Sequence, residues 1–274
     1  MSMTVTLKRR LPEPLLGAIR QARARSRQLM GWSGRELNHT LTCGVRVAIT
    51  NASDWAVYNE VFVDGEYDRA IRSVIASSVP RPLIVDLGAN VGYFALRFAD
   101  LWCRARPDEP FELISVEGAA HTYAQLRHHL EQPAIADRCA ARHGLVGRRT
   151  GSAWISTSAQ SGMNSIHTRQ SFSRTEVPFI DLERLVPDRT ISLLKCDIEG
   201  AEEMFCESYP DLLRRVATLV IELHPYINDE NRSRDLLRDA GLVHHRVVRR
   251  YEGGSVEVFS RHQCDPDAGT RGTE

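Results

Sequence analysis

Along residues 83–259, short continuous apolar runs alternate with stretches in which apolar positions recur every three or four residues. Apolar runs of strand length, bounded by turn residues, suit strands covered on both faces of a parallel sheet. Such runs fall at 83–86, 111–116, 191–196 and 218–223, and a further run at 142–146 reads the same way. Helical periodicity marks 93–102, 120–130, a segment from 201 onward, and 232–240. Residues 243–249 and 255–259, with Gly253 and Gly254 between them, have the pattern of a closing hairpin. Strand–helix alternation of this kind predicts a doubly wound α/β sheet, mostly parallel, with the hairpin as an antiparallel addition at one edge.

The pattern differs before residue 83. Leu15, Leu16, Ile19, Ala22 and Leu29 lie at helical spacing among arginines, and short strands are expected at 46–50 and 60–63 around the turn-prone residues 51–54. A helix is expected over 67–78, stopped by Pro80 and Pro82. These features divide the chain into an N-terminal helical/β cap (1–66), a main domain (67–264) and a disordered tail (265–274). The polar stretch 147–174 is expected to form a hairpin or loop over a substrate site, because long polar segments inside compact domains are usually functional.

Composition narrows the function. Lys+Arg and Asp+Glu balance at 35 each, so no bulk basic field attracts nucleic acid. Lys8 and Lys195 are the only lysines, which singles out Lys195. Six cysteines without a CxxC pair fit a reducing cytoplasm better than a disulfide framework or zinc site. No apolar run approaches 18 residues and no secretory leader is visible, so neither a membrane span nor export is expected. The Arg-rich residues 8–35 could also be a transit peptide; they are read here as a solvated amphipathic helix that could contact a second copy of the chain.

The densest chemical signal is the run from Asp86 through Gly88, Asn90, Gly92 and Tyr93, which follows a strand and opens a helix. Glycines let the backbone turn and approach a ligand closely, and the helix N-terminus offers free N–H groups. A GxGxxG dinucleotide fingerprint would need glycine at 90 and 93, so diphosphate binding by a nicotinamide oxidoreductase is disfavoured. Glu117, followed by Gly118, ends the second strand, where an acid can accept ribose hydroxyls. The second signal runs from Lys195 to Glu203. Alternation puts Lys195 and Asp197 on one face, with Asp197 at the strand tip; Glu202 and Glu203 are read as acids complementing a helix dipole.

Together, "VDLGANVGYFAL" and "LLKCDIEGAE" resemble the FkbM family of S-adenosylmethionine (SAM)-dependent methyltransferases, as do "VFVDGEYD", "SVEG" and "VIELHP". The resemblance covers about residues 60–262. It implies a class I methyltransferase (Rossmann-like) fold with a seven-stranded sheet, and methyl transfer to a hydroxyl of a natural product or sugar. It assigns Asp86, Gly88, Asn90, Gly92, Glu117 and Asp197 to SAM, and their motif neighbours Tyr93 and Gly118 are expected at the same cofactor site. Two positions depart from the family pattern, Gly118 where proline is common and Cys196 where an aliphatic residue is usual.

A hydroxyl acceptor must lose a proton, so a general base is needed. His224, which follows the fifth strand on the ligand-binding edge, is the candidate. Asp197 is expected to favour the positive sulfonium, and Lys195 could act as base if desolvated. A divalent ion on Asp197, Glu199 and Glu222 is the metal alternative, but three acids near a strand edge are unspecific and no metal is assigned. The expected partner is a small-molecule acceptor, with neither nucleic acid nor membrane. The alternatives are a carboxylate or amine acceptor on a small molecule or peptide, and a non-catalytic nucleoside-binding module.

Overall fold

The structure is a computed structural model in which residues 36–156 and 174–262 are described. The first helical pattern, the 157–173 part of the polar stretch and the tail lie outside the described residues.

The chain opens with a hairpin, β1 (Leu37–Thr40) and β2 (Arg46–Ile49), followed by helix α1 (Ala52–Tyr58) and a π-helical turn, Asn59–Val63. The strand expected at 60–63 is therefore helical. The cause lies in the residues expected to turn: the Asn51 side chain accepts the Asp54 N–H at 2.9 Å and starts a helix there. Trp55, Tyr58 and Phe62 then stack at helical spacing, with ring centroids 5.9 and 4.9 Å apart. Asn59 Nδ2 donates to the Trp55 carbonyl at 2.6 Å, and the Asp64 N–H closes a wide turn onto the Asn59 carbonyl.

Helix α2 (Asp68–Ala76) leads to strand β3 (Leu83–Leu87), helix α3 (Tyr93–Ala105), strand β4 (Glu112–Glu117), helix α4 (Ala120–Leu130) and strand β5 (Cys139–His143). A second hairpin, β6 (Ser152–Ser156) with β7 (Arg174–Pro178), interrupts the alternation. After the short helix α5 (Leu182–Leu185) come β8 (Ile191–Cys196), α6 (Glu202–Ser208), α7 (Pro210–Arg214), β9 (Thr218–Leu223), α8 (Glu230–Asp239), β10 (His244–Tyr251) and β11 (Gly254–Ser260).

Seven strands form the central sheet in the order β10-β11-β9-β8-β3-β4-β5, in which only β11 runs antiparallel to its neighbours. This is the class I methyltransferase fold that the resemblance implies. Strand β5 lies three residues before its expected place. Cys139, Ala140 and Ala141 pair with β4, whereas Leu145 leaves the sheet to bridge Phe179. The apolar pair Leu145–Val146 was thus a wall of the cleft described below rather than a strand core.

One buried cluster covers each face of the sheet. The first joins Val45, Val47, Ile49 and Val61 from the leading segment to Tyr93, Phe94, Phe98 and Trp102 of α3. The second gathers Leu83, Val85 and Leu87 with Phe205, Tyr209, Leu213 and Phe259. Chain order reverses at β3, whose flanking strands β4 and β8 connect in opposite directions, and a crevice opens at their carboxyl ends.

Candidate active site

Three loops meet at that crevice. After β3, the Gly88 and Ala89 N–H groups both donate to the Val116 carbonyl of β4, at 3.0 and 2.9 Å. Gly88, Asn90 and Gly92 all have φ in the left-handed region (70°, 50° and 93°). At Gly88 the requirement is absolute, because a Cβ would lie 1.7 Å from the Asp197 carbonyl oxygen. Glu117 braces the turn from the neighbouring strand, accepting the Asn90 N–H at 2.9 Å and the Ala119 N–H at 2.8 Å, one on each carboxylate oxygen. Burial raises the Glu117 pKa, and these two N–H donors oppose it. Each oxygen keeps a lone pair free to accept from a ligand.

After β8, Lys195 stands beneath the turn. Its Nζ donates to the Gly88 carbonyl at 2.7 Å and lies 3.4 Å from Asp86 and 3.6 Å from Asp197. Burial would depress the lysine pKa, but Asp86 and Asp197 outweigh burial and hold it above its ordinary value. A neutral lysine base needs the opposite shift; between Asp86 and Asp197, Lys195 is held toward its charged form. Asp86 is fully buried below it, its pKa raised by burial against the pull of Lys195.

The cleft is open to solvent and has a cavity volume of about 80 Å³. Gly88, Asn90, Glu117, Gly118 and Asp197 line it, joined by the apolar walls Val116, Leu145, Val146, Ile155 and Ile198. Ile155 arrives on the β6–β7 hairpin, which packs there with Ala119, Leu145 and Val177. The remaining expected cofactor residues serve the frame. Gly92 faces α4, where a Cβ would meet Leu126 Cδ1 at 2.8 Å. Tyr93 points away from the cleft, donating its hydroxyl to the Ala48 carbonyl at 2.6 Å and packing against Tyr58 and Phe62. Position in the motif did not reveal that orientation, since it depends on the β1–β2 hairpin docking on α3.

Acids gather at the far end of the cleft, around the residues that follow β8 and β9. His224 Nδ1 meets Glu202 Oε1 at 3.1 Å, and its Nε2 is 3.7 Å from Glu199, a cleft residue. Burial would depress the His224 pKa, but the hydrogen bond and charge of Glu202, with Glu222 and Asp197, raise it to about 9. Glu222 is hydrogen-bonded by the Tyr251 hydroxyl and sits at about 7, raised by burial and Asp197. Glu66 reaches about 8 through burial despite its ion pair with Arg249 at 2.9 Å. Glu199 is raised by burial and Asp197. Sequence patterning did not pick out Glu66, Arg249 or Tyr251, and it read Glu202 as a helix-dipole acid. Asp197, Glu199 and Glu222, the set weighed for a divalent ion, direct their carboxylates at Lys195, His224 and Tyr251. Among the described residues no group of three or more His, Cys, Asp or Glu is arranged to hold a metal, and no helix is long and apolar enough to cross a membrane.

The sequence profile described as "Methyltransferase FkbM domain" matches residues 86–247. No curated protein matches the chain. Among solved structures, the chain is similar to the N-terminal domain of EvdMO1 with SAH bound, at 15% identity and a TM-score of 0.47, over 90% of this chain and 97% of that one. It is also similar to magnesium protoporphyrin IX methyltransferase from Synechocystis with bound SAM, at 10% identity and a TM-score of 0.44, over 93% of this chain and all (100%) of that one. A third is the 16S rRNA methyltransferase RsmC of T. thermophilus with AdoMet and guanosine, at 13% identity and a TM-score of 0.43, over 83% of this chain and 50% of that one. With an rRNA enzyme among them, these likenesses do not separate small-molecule from nucleic-acid acceptors.

Proposed function

The chain belongs to the FkbM methyltransferase family, and from that premise we propose that it transfers a methyl group from SAM to a hydroxyl of a small molecule. The observation that carries the donor is the charge of the cleft. Among the described residues its lining holds Glu117, Asp197 and Glu199 and neither lysine nor arginine. A diphosphate cofactor would meet three acids and no cation, whereas SAM brings a positive sulfonium and an ammonium.

The residues present fit that donor. Glu117 would accept the ribose hydroxyls, the Gly88–Asn90 turn would admit the methionine portion, and Asp197 would hold the cationic end. Val116, Leu145, Val146, Ile155 and Ile198 offer the apolar surface an adenine needs. When bound, SAM supplies an electrophilic methyl group on sulfur. The chain has to align the acceptor oxygen with that methyl and remove its proton. His224, at the cleft end near Asp197, is the proton acceptor in this reading.

His224 must be neutral to accept a proton, and its pKa lies at about 9 in the free protein. The rate therefore rises with pH through the range above neutrality. A cationic sulfonium nearby opposes protonation and lowers that pKa, so the SAM complex reaches its plateau at lower pH than the free protein titrates. His224→Ala should cut kcat by about 10²–10⁴-fold and leave the SAM Kd within about twofold. Full activity in that variant removes His224 from the mechanism. A carboxylate acceptor needs no base, and a pH–rate profile flat near neutrality would favour it instead.

A further inference from the structure

Glu202 follows a pattern that a helix-dipole acid does not explain. Such an acid stays at the surface, as the neighbouring Glu203 does where it accepts the Asp229 N–H at 2.9 Å. Glu202 has no exposed surface, and four donors from two loops converge on it. Oε1 receives the Ile198 N–H at 3.3 Å, the Gly200 N–H at 3.1 Å and His224 Nδ1 at 3.1 Å. Oε2 receives Asn228 Nδ2 at 2.6 Å. Ile198 and Gly200 belong to the strap after β8, which places Asp197 and Glu199 in the cleft and holds Glu199 and Gly200 at left-handed φ values of 52° and 99°. His224 and Asn228 belong to the loop after β9.

The geometry points to Glu202 as the positioning residue that locks the donor-side strap to the His224 imidazole and fixes which imidazole nitrogen accepts the acceptor's proton. This rests on the reading of His224 as proton acceptor. The carboxylate only accepts hydrogen bonds, so the Nδ1 it meets carries the proton. Neutral His224 is then bare at Nε2, which lies toward Glu199 and the cleft. A carboxylate that orients an imidazole and leaves its far nitrogen free is the general arrangement of an activated base. The ionisable groups that bear on His224 are Glu202 from α6, Asp197 and Glu199 from the strap, and Glu222 from β9. Tyr251 and Arg249 of β10 act through Glu222. Glu202 alone among these hydrogen-bonds the ring.

The test combines NMR of ring-labelled histidine with kinetics of Glu202→Gln. In the wild-type protein, His224 should deprotonate at alkaline pH to the tautomer with hydrogen on Nδ1. Hydrogen on Nε2 would overturn the proposal, and this result needs no variant. Glu202→Gln keeps an acceptor oxygen for the strap but loses the charge, so His224 should titrate about one pH unit or more toward acid. The rising limb of the pH–rate profile should follow it, and kcat should fall about tenfold or more with SAM affinity within about threefold of wild type. An unmoved His224 titration and pH profile, with only stability lowered, would make Glu202 a purely structural residue. If His224→Ala remains fully active while the wild-type tautomer and the Glu202→Gln titration behave as stated, the positioning survives and the proton-acceptor reading fails.

Discussion

At the scale of single residues, the strongest constraint is the buried Lys195 flanked by Asp86 and Asp197. Asp86 has no exposed surface, and Lys195, its Nζ 3.4 Å from Oδ1, is the cation that compensates it. Breaking such a pair leaves an uncompensated buried charge. Lys195→Met should therefore lower unfolding free energy by about 3–5 kcal/mol in urea titrations, with Asp86→Leu added to it restoring part of the loss. An undiminished midpoint would contradict the pairing. Gly88→Ala drives a Cβ into the Asp197 carbonyl, which is backbone and cannot swing aside. A loss of more than about 3 kcal/mol, or failure to fold, is expected. Period-2 alternation placed Lys195 beside Asp197 from sequence, and the glycine spacing placed the turn. Glu202 was not readable in that way. An acid in the first turn of a helix is ordinary by sequence, and its burial exists only because the loop after β9 folds across it.

At the scale of elements, strands buried on both faces were the most legible. The runs that became β8 and β9 were placed to the residue, because apolar residues dominate them and only Ser192, Lys195 and Glu222 break the runs after their first residues. The leading segment was harder: Asn51 serves turns and helix caps equally, and only the aromatic spacing of Trp55, Tyr58 and Phe62 separates the two. Edge strand β5 was misplaced because its first three paired residues are small and its last two are Arg142 and His143, while the larger apolar residues lie beyond it. Capping acids remain informative where the helix is unambiguous. The Asp229 side chain accepts the Asn231 and Arg232 N–H groups at 2.9 and 3.1 Å, opening α8. Asp229→Ala should cost about 1 kcal/mol of stability, read as a shift in the denaturation midpoint without loss of SAM binding.

For the whole molecule, the leading hairpin and the sheet domain share one core. Leu41, Val45, Val47, Ile49 and Val61 belong to the buried cluster built on α3, and the Thr42 N–H reaches Asp100 Oδ1 at 3.1 Å. A chain beginning at residue 67 should lose its cooperative thermal transition, and one that melts at the full-length temperature would contradict that continuity. Above this frame, the cleft brings together backbone turn, Glu117 and Asp197 from three adjacent strands, with His224 beside its far end. The measurement that bears most directly on this account is calorimetric titration of SAM and of its demethylated product into the full chain and into Glu117→Ala. Binding by the wild type at micromolar concentration, weakened about tenfold or more in a variant that still unfolds cooperatively, is the expected result. Well-folded wild type that binds neither ligand, or a Glu117→Ala protein that binds both undiminished, would contradict the assignment of this cleft to the methyl donor.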